Sequence, residues 1–542
     1  MLSLVIGSQP VELPPDFSLT MNLKSPIFSE VGSYSYPFKL PYSPRNAIAM
    51  GFRHRVASTG DPYKVDQGVF RWKGLQLFAG SVKMKILNSG TFEGNMFEGN
   101  GDFNYLRKNY TLQDVDFGEL TFASEPGRLS YMNGCMNTAY PDRDICFPQI
   151  LNKTYFEELP ANTGLHYFNN YILSLLKTES IGGVTERYII VPMLYLRFVL
   201  KKIFEHQNYA FDDSFFRLDH DFDSLALFNS VDCNGGPYGY FLYPTTKLLL
   251  NYHVPRMTIN DFFTGLETFF NIRFFINNIT RSVRLMSVDT IVKSAEFTEF
   301  SDRLISVSVE PTDQITGYSL SMNMQTDDEL YTLRKELDDE RLSHLKSSVE
   351  TVSDLNPWPS DQVMDLRFVL EKNMYYILWT DKQWMPWYET VDLYLEYRYR
   401  SSNQSIETKF STLLNSSIND PAVVGSKQTD WKEVSGKLFF AHYDETVPAW
   451  KKMIALPATL DNSLYFGSET GLFNKHYKAY FDFMMQTRLV KIVKQMEFSE
   501  LKDFDFTKKY MINGIKYLVA GIQVTIKKDR ISPALLDCYP CP

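Results

Sequence analysis

The period of the hydrophobic pattern changes twice along this chain, from two to about three and a half and back to two, so strands must flank a helical region. In Phe17-Ser18-Leu19-Thr20-Met21-Asn22-Leu23 apolar and polar residues alternate, which places Phe17, Leu19, Met21 and Leu23 on one face of a half-buried sheet. The rhythm recurs from Leu75 to Ile86, where Val82, Met84 and Ile86 face inward between Lys83 and Lys85, and Gly80 is read as a bulge or corner. Phe92-Glu93-Gly94-Asn95 and Phe97-Glu98-Gly99-Asn100 form a near-repeat too short for a solenoid unit, and are read as a kinked strand with glycine corners.

After about residue 160 the period lengthens. Leu196, Val199, Leu200, Ile203 and Phe204 form one stripe, with Lys201, Lys202 and Glu205 opposite, as an amphipathic helix requires. Thr258 followed by Asp261 predicts a capped helix start, and Ile259, Phe262, Phe263, Leu266 and Phe270 make its buried face. Alternation then returns: Ile272 to Ile276, an Asn277-Asn278 turn and Val283 to Leu285 predict a hairpin. Asp327 to Lys346 is polar and acidic, with leucines at helical spacing, and reads as an exposed connector that Asn356-Pro357-Trp358-Pro359 ends. The final part is β-like again, from Val391 to Tyr399 and across the Asn513-Gly514 turn between Tyr510 and Tyr517.

Length and composition narrow the function classes. At 542 residues the chain exceeds one domain, and 15% aromatic residues favour pleated, half-buried surfaces. A net charge of -9 gains nothing from counterion release, which argues against nucleic acid as the principal ligand. The opening residues lack a basic segment and a long apolar run, so no secretory leader is expected. The apolar stretch between Arg187 and Arg197 is too short for a membrane span. Five cysteines give no disulfide framework, and synthesis in a reducing cytoplasm fits.

Motifs with chemistry fail their second tests. Asp219-His220-Asp221-Phe222-Asp223 opens like a calcium loop, but Ser224 and Ser230 stand where Gly and Glu are needed; alternating acids that guard a strand edge are preferred. Cys538-Tyr539-Pro540-Cys541 has zinc or redox spacing without a second pair, and is read as an incidental tail, with a terminal disulfide as the lesser alternative. The eight histidines are scattered singly, and Gly467-Ser468-Glu469-Thr470-Gly471 has its serine misplaced for a nucleophile elbow. No catalytic, cofactor or metal residues are assigned and no enzyme is expected, although a glycosidase pair among 64 acids stays open. The aromatic run Tyr375-Tyr376-Ile377-Leu378-Trp379, followed by Trp384, Trp387 and Tyr388, invites a sugar platform, and a hydrophobic hairpin is preferred. On composition alone, Trp379, Trp384 and Trp387 are the candidate interface anchors.

Ordering carries more than any motif. An N-terminal β region with Leu77-Phe78-Ala79-Gly80-Ser81-Val82, the helix start Pro255-Arg256-Met257-Thr258 and a Phe-rich helix running into a hairpin resemble the tail-hub, or baseplate-hub, proteins of tailed bacteriophages. The closing pattern from Leu501 to Phe506 and from Lys508 to Val519 is similar to the C-terminal strands of such proteins. The expected fold is a multi-domain, β-rich α+β chain with tube-like β-barrel domains and an inserted α+β region. Its expected divisions are a barrel-like domain at 1–155, an α+β domain at 156–300, a strand plus acidic helical connector at 301–355 and a β-rich domain at 356–542. The resemblance implies a virion tail protein assembled in the host cytoplasm, a homotrimeric ring contacting the tail-tube protein and a spike or fibre, with DNA passing through unbound. A receptor- or carbohydrate-binding tail protein is the alternative, and a glycan-degrading tail enzyme a third.

Overall fold

The computed structural model describes residues 2–52, 63–87, 91–107, 109–151, 167–169, 171–172, 175–176, 190–231, 247–311, 314–322, 396–400, 403–413, 436–444, 452–466 and 469–541. The connector at 327–346, the double-proline boundary and Trp379, Trp384 and Trp387 lie outside the described residues, as does the aromatic run that contains them.

Among the described residues, fourteen strands form the largest sheet. In chain order they are β1 (Leu2–Ile6), β2 (Gln9–Pro10), β3 (Ser18–Lys24), β4 (Ser33–Ser35), β5 (Phe38–Pro41), β6 (Tyr63–Trp72), β7 (Leu75–Leu87), β8 (Thr91–Glu98), β9 (Phe297–Glu299), β10 (Leu304–Val309), β11 (Val490–Lys494), β12 (Lys509–Ile512), β13 (Ile515–Lys527) and β14 (Ala534–Cys541). The main path runs β2-β1-β6-β7-β8-β4-β3-β13-β14-β11-β10, with β5 on β8, and β12 joining β9 to β13. Period-two alternation in β3 buries Leu19, Met21 and Leu23 and sets its register against β13, with Ser18 opposite Lys527 and Lys24 opposite Gly521. Thr20 Oγ1 lies 2.9 Å from Thr525 Oγ1, so segments near the two ends of the chain share one sheet.

This sheet has two lobes, β1-β6-β7-β8-β5 and β12-β13-β14-β11, linked by β4 and β3. The run Phe297 to Val309 begins beside β12 as β9 and ends beside β11 as β10, reaching both edges of the second lobe. Among the described residues the sheet is large and mostly antiparallel, and its ladders do not close into a complete barrel. The Asn513-Gly514 turn forms as expected, with φ of 49° and 79°, and joins β12 to β13.

The glycine readings divide. Gly99, at φ 54°, is a true corner, ending β8 before α1 (Asn100–Arg107). Gly94 is no corner: it pairs with Phe38 and Met84 inside β8, and a Cβ there would meet Met84 Sδ at 2.3 Å. The bulge in β7 falls between the pairs Phe70–Phe78 and Arg71–Gln76; Gly80 is needed instead because a Cβ would lie 1.9 Å from the Phe97 carbonyl oxygen.

Beside this sheet, around a separate hydrophobic core, lies the helical region. α2 (Leu196–His206) buries the expected stripe, and α3 (Ile259–Phe270) starts at Thr258, whose hydroxyl accepts from Asp261 N–H at 3.0 Å. Asn271 in the left-handed conformation, at φ 47°, turns the chain directly into the expected hairpin, Ile272–Asn277 with Ser282–Ser287. Phe263 is the centre of the aromatic core, 4.4 Å from Phe274, 5.2 Å from Phe204 and 5.4 Å from Phe103 between ring centroids. Such pairs contribute roughly 0.5–1.5 kcal/mol beyond area burial.

Two amides fasten the hairpin to the sheet. Asn100 Nδ2 donates to Phe274 O at 2.7 Å, and Asn278 Nδ2 donates to Ala79 O at 3.0 Å and to Asp102 Oδ2 at 2.8 Å. Asp102 is buried and also accepts from Ser81 N–H, so both its carboxyl oxygens are met by fixed donors. Glu98 is pushed up to about 8 by burial, with the Ala79 backbone opposing and Asp102 adding to the rise.

The C-terminal residues are not an incidental tail. They form β14, between β13 and β11, with Cys538 opposite Val490 and Val519. Residues three apart on a strand point to opposite faces, so Cys538 enters the main sheet core while Cys541 joins a separate cluster with Ile27, Val288 and Leu518. Both are free thiols in unlike surroundings, which removes the disulfide alternative. Among the described residues no helix is long and apolar enough to cross a membrane.

Candidate functional site, an exposed sheet edge

Strand β10 reads Leu304-Ile305-Ser306-Val307-Ser308-Val309, an alternation of β-branched residues with serine that satisfies every local requirement of a strand. On one side it pairs antiparallel with β11, Val307 opposite Ile492 and Val309 opposite Val490. On its other side no strand is paired with it among the described residues. Val307 and Val309 share a face and are 45% and 50% exposed; Ile305, 56% exposed, has no partner where the register against β11 shifts between Leu304 and Ser306, and Ser306 and Ser308 are exposed too. Among the described residues the strand therefore offers both an unpaired backbone edge and three exposed apolar side chains, Val307 and Val309 in line and Ile305 at the irregularity.

Soluble proteins protect such edges with lysine, proline or inward charges. Here the charges sit only at the ends: Arg303 pairs with Glu497, and Lys491 Nζ lies 3.1 Å from Glu310 Oε1. They and the irregularity at Ile305 limit the regular open stretch to Ser306 to Val309 without covering it. Completing the burial of these three side chains would gain about 1 kcal/mol each by the area rule, before the cost of ordering a partner. Strand addition to exposed sheet edges is one general mode of recognition between polypeptides.

A second exposed feature is Leu460, 96% exposed at the tip of a turn. Thr459 N–H donates to Asn462 O at 2.7 Å to close the turn, and its base is clamped by acids of the 219–223 stretch. Asn462 Nδ2 donates to Asp219 Oδ2 at 2.8 Å and Asp221 Oδ2 at 2.7 Å, and Lys475 Nζ reaches Asn462 Oδ1 and Asp219. Burial resists ionisation of Asp219, but the Asn462 amide, the Asp221 N–H and Lys475 together hold it below the usual carboxylate range.

That network corrects the strand-edge reading of Asp219 to Asp223. Asp219 caps a short 3-10 turn, His220–Ser224, by accepting from Asp221 N–H, and Asp219 and Asp221 share the Asn462 amide while the third acid turns elsewhere. Asp223 pairs with Arg197 on α2, whose guanidinium also holds Asp213 through Nε at 2.8 Å and Nη2 at 2.6 Å. Acids two residues apart here lie on a tight helical turn, not on an alternating strand. Among the described residues no group of three His, Cys, Asp or Glu side chains is placed to hold a metal ion.

The expected anchors Trp379, Trp384 and Trp387 lie outside the described residues. Sequence reasoning misses the β10 edge because alternation predicts a strand with one inward face; it does not say that both faces stay open. The signal that could have found it is serine, rather than charge, at the alternating positions of β10.

No known family profile matches the chain, and no curated protein matches it. Among solved structures, the crystal structure of the prophage MuSo2 43 kDa tail protein from Shewanella oneidensis aligns over 99% of this chain and 97% of its own, at 6% identity and a TM-score of 0.33. The tail protein from Neisseria meningitidis MC58 aligns over 99% of this chain and 95% of its own, at 6% identity and a TM-score of 0.32. Scores this low fall short of a shared fold, and no residue role is carried across.

Proposed function

We propose that this chain is a structural, non-enzymatic protein of a bacteriophage virion tail, a hub that joins the tail tube to the tip or spike and forms part of the DNA passage. The observation that carries the assembly role is β10, an apolar edge strand that a protein working alone would have protected. The tail assignment rests on the sequence pattern at Leu77 to Val82, Pro255 to Thr258 and Leu501 to Val519, which resembles tail hubs. The two linked lobes are compatible with two tube-like domains per subunit. In this reading copies of the chain meet through heterologous interfaces that close into a trimeric ring, and the acidic surface lets DNA pass without sticking.

The test is electron-microscope class averaging of the purified protein across a concentration series, with mass by light scattering. Rings with a central hole at about 189 kDa, three times 62.9 kDa, are expected. A monomer at every concentration, alone and with the tail-tube protein, would overturn the hub. Release of reducing sugar from host polysaccharide would replace it with a glycan-degrading enzyme.

A further inference from the structure

A cavity of about 290 Å³ lies in the seam where the Pro26 to Glu30 segment meets α1, α3 and the hairpin that follows α3. Its walls combine aromatic rings, among them Phe28, Phe103 and Phe263, with the polar side chains of Asn260, Glu267 and Arg273. Hydrogen-bond accounting shows an imbalance. Asn260 Nδ2 donates to Asn104 O at 3.1 Å, which fixes the orientation of the amide because a carbonyl only accepts. Its Oδ1 is buried and has no partner among the described residues. Buried acceptors are satisfied in nearly all folded proteins, so an orphan of this kind points to a missing donor.

The other polar groups around the cavity do not supply one. Thr268 Oγ1 donates back to Thr264 O at 2.8 Å, and Asn100 Nδ2 is taken by Phe274 O. Arg273 turns Nε to Pro26 O at 2.9 Å and Nη1 to Ile272 O at 2.7 Å and Glu267 O at 3.2 Å, holding the backbone together. Glu267 accepts from Phe274 N–H at 3.2 Å through Oε1, and Oε2 makes no hydrogen bond among the described residues. Among the described residues no bond from Arg273 Nη2 or the Tyr480 hydroxyl reaches Asn260 Oδ1 or Glu267 Oε2, so two acceptors stay open on a wall that also carries aromatic faces, which attract cations.

We propose that this cavity binds an organic cation, a primary ammonium or guanidinium head, which donates to Asn260 Oδ1 and Glu267 Oε2 and rests against the aromatic wall. The same chemistry comes from a free amine or from a lysine or arginine side chain of a neighbouring protein. Glu267 fits this role: burial first, with Glu30 adding and Arg273 and the Phe274 N–H opposing, pushes its carboxyl up to about 7. An arriving cation restores the charge that burial disfavours. Tyr480 also lines the cavity, and its hydroxyl, itself shifted upward by burial, stays neutral across the working range.

The test uses the full chain and three probes of equal length, n-butylamine, n-butylguanidinium and n-butanol, followed by calorimetry and thermal unfolding. Both cations are expected to bind saturably and raise the melting temperature, with n-butanol at least tenfold weaker. Binding should weaken as pH falls from 8 to 5.5 and Glu267 takes up its proton. Glu267→Gln, which keeps the acceptor for Phe274 N–H, should weaken both cations at least tenfold at pH 8. Should that variant not fold, the comparison with n-butanol and the pH series on the unaltered chain decide alone. Nα-acetyl-lysine methylamide separates the sources: binding equal to n-butylamine supports a protein side chain, and loss of binding supports a free amine. Equal binding of n-butanol, pH-independent binding or no saturable binding of either cation overturns the proposal.

Discussion

Helix α3 and strand β10 are similarly rich in large apolar residues, and the structure spends them in opposite ways. In α3 Ile259, Phe262, Phe263, Leu266, Phe269 and Phe270 are buried among partners from α1, α2 and the hairpin. In β10 Ile305, Val307 and Val309 stand half in water. The first region explains how the chain folds, because its apolar surface is consumed within the molecule. The second has apolar surface left over among the described residues, which the proposed assembly would cover.

If that division is right, substitutions in the two regions separate stability from assembly. The largest effect belongs to Phe263→Ala, which removes a ring packed against Phe103, Phe204 and Phe274 and leaves a cavity. A loss of about 3–5 kcal/mol is expected in urea unfolding. A loss below about 1 kcal/mol would mean that the aromatic core relaxes and that α3 and β10 differ little in how tightly they are held.

The next effect depends on pH. Glu98 is raised from 4.5 to about 8 and Glu267 from 4.5 to about 7, in both cases chiefly by burial. The folded chain keeps these protons where the unfolded chain has lost them, so their contribution is full below about 4.5 and is lost as pH rises through 7 and 8. His253 and His476 are lowered to about 3 by burial, so their contribution is present above about 6.5 and is lost as pH falls towards 3. Stability is therefore expected to peak between these limits. Glu98→Gln should raise the melting temperature at pH 8 and leave it nearly unchanged at pH 4.5; the same gain at both pH values would show that ionisation is not the cause.

A smaller effect tests the start of α3. Thr258→Ala removes the hydroxyl that accepts from Asp261 N–H and should cost about 1 kcal/mol in the same unfolding assay. No measurable change would show that Lys409, paired with Asp261 at 2.7 Å, holds the helix end without the cap.

These elements differ in how far the amino-acid sequence discloses them. The α3 cap, its stripe, the following hairpin and the Asn513-Gly514 turn are legible because each is decided within about a dozen neighbouring residues. The pairing of β3 with β13 is not, since Thr20 meets Thr525 and nothing local to either names the other. The acids at 219–223 mislead for a related reason: two-residue spacing is shared by a strand and by a capped 3-10 turn, and only Asn462, Lys475 and Arg197 decide between them. At the candidate site, alternation in β10 gives the strand, while its exposure depends on β11 and on the absence of a described neighbour on the far side.

The smallest effect on stability is expected at that edge, and it is the one that bears most on function. Val307→Lys places a charge on a half-exposed position whose own packing contributes little, so unfolding of the isolated subunit should change by no more than about 0.5 kcal/mol. The same lysine is the residue type that natural edge strands use against pairing, because a partner strand would have to bury or displace its charge. Light scattering should therefore show the assembly reduced to subunits at concentrations where the unaltered chain associates. A companion variant, Ser308→Lys on the opposite face of the same strand, tells whether the apolar row or the backbone edge directs contact. Loss of assembly in Val307→Lys alone assigns the contact to the apolar face; loss in both assigns it to strand addition; persistence in both removes β10 from the interface.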